Sequence, residues 1–101
     1  MKIPLKVKIG GHTLLVNSKD KKVSKDLELE DLCGKTFLGG DLILINRHSI
    51  CRSQQEESFL HEVIHHILFR MGRNDECLDE RLVQGLASWL YAFLKDNKIV
   101  K

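Results

Sequence analysis

The chain has 101 residues, 16 basic and 14 acidic side chains, a formal net charge of +2 and 43% hydrophobic residues. That length predicts one domain, 1–101, with a modest core. The near balance of charge argues against nucleic acid as a partner, and no apolar run approaches the ~20 residues a membrane-spanning helix needs.

Ile3, Leu5, Val7 and Ile9 alternate with polar residues and Pro4, the period-2 pattern of a strand, with Pro4 at a strand start or sheet edge. Gly10-Gly11 is a two-residue hairpin signal, and His12 to Val16 supplies the return strand. Asn17 to Lys25 is polar and reads as a loop. It carries Lys19, Lys21, Lys22 and Lys25, interrupted by Asp20 and Asp26. Leu27 to Leu32 fits a short helix or a strand equally, with Gly34 as its end. Lys35 to Leu38 and Leu42 to Ile45 flank a second hairpin signal, Gly39-Gly40. The run Leu42-Ile43-Leu44-Ile45 has the character of a strand buried on both faces. Asn46 to Arg52 connects it to a helix.

That helix starts at Ser53, with Ser53 and Glu56 as a capping box, and has no Gly or Pro as far as Met71. Phe59, Leu60, Val63, Ile64, Ile67, Leu68 and Met71 make most of its surface apolar. Gly72 is its stop, and Arg70 meets the negative end of the helix dipole. A second helix starts near Asn74 or Asp75 and ends near Asn97. Leu78, Leu82, Leu86, Leu90 and Phe93 recur along it at helical spacing, as do Val83, Ala87 and Leu94. Gly85 in its middle suggests close approach to the first helix. The expected fold is α+β, a small antiparallel sheet of about 3–4 strands packed on two antiparallel helices.

The first helix carries His61-Glu62-Val63-Ile64-His65, the H-E-x-x-H pattern of zinc metallopeptidases. Positions i and i+4 share a helix face, so both imidazoles can reach one ion. Glu62 stands about 100° from His61. It borders the metal face and can act as base on a zinc-bound water. A polar trio on an apolar helix costs free energy unless it is paired, which favours a ligand role.

Catalytic Zn²⁺ takes three protein ligands and keeps a fourth position for water. If the second helix starts near Asp75 and runs back antiparallel, Glu80 descends about 7.5 Å and comes level with His65. Glu76 then sits a turn too high, and Asp79 is close to level but shorter. Glu80 also shares a face with Val83 and Ala87. The favoured metal set is His61, His65 and Glu80, with Asp79 and Glu76 as alternatives. All three acids also suit the first turn of a helix on dipole grounds. His66 is expected at the rim of the site or at the surface, and Tyr91 in the core.

Ser58 to His66, followed by Asp79 to Ala87, resembles the small zinc metallopeptidases of the ImmA/IrrE type, in particular their minimal phage- or mobile-element-associated relatives. These resemble gluzincins, in which a glutamate on a downstream helix joins the two motif histidines. The resemblance covers about the last half of the chain and implies hydrolysis of peptide bonds in a protein substrate. Only 14 residues separate His65 from Glu80, short for larger gluzincins.

The leading expectation is therefore a zinc-dependent metallopeptidase with Glu62 as general base, and a strand within Lys35 to Ile45 binding substrate backbone. The alternative is an inactive, zinc-stabilised protein-interaction module, in which metal binding supplies folding energy. A third reading is an interaction domain with no zinc at all. Lys2, Lys6 and Lys8 break up any signal segment. The three cysteines, Cys33, Cys51 and Cys77, form no C-x-x-C pair. The expectation is a reduced, cytoplasmic chain with its thiols buried as small hydrophobes.

Overall fold

The structure, a computed structural model, describes residues 1–48 and 50–99. Ser49, within the expected connection from Asn46 to Arg52, lies outside them. Strand β1 (Lys6–Ile9) turns into β2 (His12–Asn17) through Gly10 and Gly11, whose φ values are 58° and 81°. Both glycines sit in the left-handed region that a two-residue hairpin of this hand requires. The pairing is antiparallel, with Ile9 opposite His12.

Helix α1 (Lys21–Leu29) follows where a loop was expected. Asp20 is its N-cap and accepts from the Lys22 N–H at 2.9 Å, and the short apolar pattern then suffices because Leu27 is buried. The lysines at 21, 22 and 25 are exposed on this helix. Asp31, at φ 59°, ends it. The next strand, β3 (Gly34–Phe37), is the one expected over Lys35 to Leu38, shifted one residue earlier so that Gly34 opens it. It pairs antiparallel with β4 (Leu42–Ile45). In the connecting turn the left-handed residue is Asp41, at φ 49°, not either glycine.

The sheet order is β1-β2-β4-β3. Its central pair, β2 with β4, is parallel, so the sheet is mixed where an antiparallel one was expected. The α+β class stands. The parallel pairing follows from the α1–β3 excursion, which returns the chain to β2 in its original direction. β4 alternates: Ile43 and Ile45 are fully buried, while Leu42 and Leu44 are half-buried. Ile9, Leu14, Val16, Ile43, Ile45 and Phe59 form the main core between sheet and helix.

Helix α2 (Arg52–Arg70) crosses the sheet. Its N-cap is Cys51, with no side-chain cap bond, so the expected Ser53–Glu56 capping box does not form. Glu56 is drawn inward instead. Its stop is as expected. Gly72 has φ 75°, the Gly72 N–H donates to the Phe69 carbonyl at 3.0 Å, and the Arg73 N–H donates to the Leu68 carbonyl at 2.9 Å. This is the Schellman arrangement of a helix end.

The second helical region is broken. A short α3 (Asn74–Cys77) precedes α4 (Glu80–Asp96). Asp79 caps α4 by accepting from the N–H groups of Arg81 and Leu82, both at 3.1 Å. α4 packs on α2 through Val83 and Ala87 against Ile64. A Cβ at Gly85 would meet nothing within 4 Å, so its role is not the expected close approach to α2. Among the described residues, no helix is long and apolar enough to cross a membrane. Only Cys77 is buried; Cys33 and Cys51 are exposed, against the expectation of three buried thiols.

Candidate metal centre

His61 and His65 lie one turn apart on α2, as their spacing requires. Their Nε2 atoms are 3.2 Å apart. Glu80, in the first turn of α4, straddles them. Its Oε2 is 3.0 Å from His61 Nε2, and its Oε1 is 2.9 Å from His65 Nε2. The three residues each offer a ligand atom within 4.8 Å of the others.

The outward ring nitrogens are held elsewhere. His65 Nδ1 lies 2.6 Å from the Cys77 carbonyl oxygen, which can only accept. That contact calls for a proton on Nδ1, which in the neutral ring leaves the lone pair on Nε2. His61 Nδ1 lies 2.8 Å from Gln84 Oε1, and Gln84 Nε2 donates to Ser88 Oγ at 2.9 Å. With the amide oxygen facing His61, Nδ1–H donates to it, and a neutral His61 turns its Nε2 lone pair inward.

With both rings neutral, two Nε2 lone pairs and a carboxylate converge here. Such an arrangement is unfavourable alone and is relieved by a cation. Tetrahedral Zn²⁺ with bonds of about 2.0–2.1 Å sets its ligand atoms about 3.3 Å apart. The two Nε2 atoms, 3.2 Å apart, are close to this, and each lies within 3.0 Å of a different oxygen of Glu80, so the group could hold a metal ion. Held Nδ1 atoms are what orients metal-binding histidines in general.

The three candidate acids part company here. Asp79 is consumed by the N-cap of α4. Glu76 pairs with Arg73, which holds its carboxyl below the usual range, mainly through the hydrogen bond. Glu80 alone reaches the histidines. It does so from a rim position, 66% exposed, and not from within the apolar stripe of Val83 and Ala87.

Glu62 is 6% exposed, and its Oε2 has no hydrogen-bond partner among the described residues. Its Oε1 is 3.9 Å from His61 Nε2. Burial, and then the charge of Glu80, push its carboxyl up to about 8. Gly34 at the start of β3 makes room for it: a Cβ there would lie 3.4 Å from Glu62 Cγ and 3.2 Å from the Leu44 carbonyl oxygen.

These groups open onto a cleft of about 650 Å³ between β3, α2 and the start of α4. β3 is an edge strand of the sheet and forms one wall.

His66 departs from expectation. It is fully buried, neither at the site nor at the surface. Its Nε2 bonds Thr36 Oγ1 of β3, and burial, the largest influence, lowers its pKa. Tyr91 is half-buried and donates to Glu56 Oε1 at 2.8 Å. His12 and His48 are exposed, away from the cluster. Sequence reasoning missed Gln84, the Cys77 carbonyl and Gly34. Only Gln84 left a signal, one turn from Glu80 on the same helix.

Comparison with family models, curated proteins and solved structures gives no match to this chain.

Proposed function

We propose that the protein is a zinc-dependent metallopeptidase acting on a protein or peptide substrate. The observation that carries this is the convergence of His61 Nε2, His65 Nε2 and Glu80 within 4.8 Å, beside a buried glutamate at the H-E-x-x-H position.

His61, His65 and Glu80 would hold the ion. When bound, Zn²⁺ supplies a water of lowered pKa and polarises a carbonyl. Gln84 and the Cys77 carbonyl keep the two imidazoles turned toward it. Glu62 takes the proton of the attacking water and passes it to the leaving amine. In the metal-free protein, burial pushes its carboxyl up to about 8; a cation held beside it would favour the ionised, proton-accepting form. The free edge of β3 lies along the cleft, and an extended peptide can add there as a further strand. A cleft open at the cluster favours this reading over a closed structural zinc site. The exposed, unpaired thiols of Cys33 and Cys51 suit a reducing compartment, and we place the protein in the cytoplasm.

The test is elemental analysis of the purified protein beside Glu80→Ala. About one zinc per chain is expected in the parent. The variant should lose affinity by more than the ~10–100-fold that removal of an outer partner costs. A parent that takes up no zinc after incubation and dialysis would end this reading.

A further inference from the structure

Helix α4 has two apolar faces, and only one is used. Val83 and Ala87 are fully buried against α2. Leu82, Leu86, Trp89 and Phe93 are 38%, 45%, 80% and 55% exposed. Their spacing of four, three and four residues is the seam of a helix that packs on another helix. The four side chains present on the order of 500 Å² of apolar surface, near the upper limit for a monomer's largest patch.

The rim of this seam is self-complementary. Gly85 and Ala92 lie on its one open flank, and Leu90 on the side toward α2. A Cβ on Gly85 would meet nothing within 4 Å, so packing inside the chain does not call for a glycine that costs about 1 kcal/mol against Ala. Arg81 and Asp96 stand at opposite ends of the same flank, and neither makes an ion pair among the described residues.

Now let a second α4 lie antiparallel across the first. Leu82 meets Phe93 of the copy, and Leu86 meets its Trp89. Gly85 faces Ala92, so the backbones come close. Arg81 approaches Asp96, opposite charges at both ends of the pair. A parallel two-fold pairing would put the flank of Arg81 and Asp96 on opposite sides of the seam in the two copies, and the opposite charges would not meet.

We propose that this face of α4 is the interface between two copies of the chain, paired antiparallel about a two-fold axis. Two such stripes bury roughly 1,000 Å², enough for a small specific interface. Glu80 and Gln84 lie about 160° round the helix from Leu82, so the pair leaves the metal cleft open. The proposal is independent of the metal reading.

Sedimentation equilibrium of the full chain from roughly 1 µM to 1 mM tests it. A reversible monomer–dimer equilibrium is expected. Trp89→Glu should keep its circular dichroism, because the side chain is exposed, and raise the dimer Kd by ~30-fold or more. Arg81→Asp should weaken the dimer by roughly 3-fold, and adding Asp96→Arg should restore it. A monomer at every concentration overturns the proposal, as does a dimer indifferent to Trp89→Glu. A swap that fails to restore association overturns the antiparallel register. A monomer that instead sediments with anionic lipid vesicles would assign the face to a membrane surface.

Discussion

Glu56 and Glu62 sit on the same helix, 2% and 6% exposed, yet they hold their protons in opposite ways. Burial raises the pKa of both. At Glu56 it is outweighed by the Tyr91 hydroxyl, the amino terminus, Arg52 and Lys95, and the net shift is downward. Among the described residues no lysine or arginine pairs with Glu62 and its Oε2 is unpartnered, so burial and Glu80 raise it to about 8. Partners decide the state of a buried carboxylate, not burial itself. The supplied glutamate reads as structural. The starved one faces the cluster and keeps a proton exchangeable near neutral pH.

The largest effect that sharpens this contrast is on turnover. Glu62→Gln should keep zinc and lower hydrolysis of a quenched-fluorescent peptide library by ~10²–10⁴-fold. Equal cleavage by parent and variant would remove Glu62 as base. Next comes Gln84→Ala, which frees His61 Nδ1 but touches neither glutamate. Zinc affinity should fall by ~10–100-fold, read by competition with a chelator; an unchanged affinity would make the Gln84 contact incidental.

The stability of the metal-free protein should then separate the two glutamates by sign. The folded pKa of Glu62 is raised. Its contribution is complete below the ordinary carboxylate value and is lost as pH rises toward about 8. Glu62→Gln should therefore stabilise the metal-free chain at pH 7 by up to about 3 kcal/mol, with little effect near pH 4. The folded pKa of Glu56 is lowered, so its contribution holds above the ordinary value and is lost in acid. Glu56→Gln should cost about 1–3 kcal/mol at pH 7. Urea titrations at the two pH values check both, and shifts of the same sign would break the comparison. The smallest change is Asp79→Ala, about 1 kcal/mol from the lost cap of α4. It should leave zinc binding in place, whereas a loss like that of Glu80→Ala would make Asp79 a ligand.

Several features were legible because they depend on near neighbours in the chain. Gly10-Gly11 and Gly72 supply positive φ where a hairpin and a helix end need it. The apolar run on α2 gives a buried helix at any register, and i, i+4 histidines share a face on any helix. The α1 segment was misread because its helix rests on one cap, Asp20, and one fully buried apolar side chain, Leu27. Four apolar residues in a row suggested two buried faces for β4, but alternate leucines are only half-covered. The Ser53–Glu56 cap failed because Glu56 had other partners: Arg52, one turn earlier on the same helix, and Tyr91 and the Met1 amino group, which come from elsewhere.

The sequence by itself determined that two histidines and a glutamate would stand together on one helix, since 3.6 residues per turn settles that locally. Only the tertiary structure decided which acid would join them. The break between α3 and α4 at Leu78 and Asp79 makes Asp79 a cap and leaves Glu80 free to swing to the cluster. That break depends on how the chain after Gly72 packs against α2, and not on any periodicity within it. The same holds for His66, whose burial against Thr36 required the sheet to be in place, and for the parallel pairing of β2 with β4. Contacts between residues distant in sequence are set by the packing of whole elements, which no short pattern encodes.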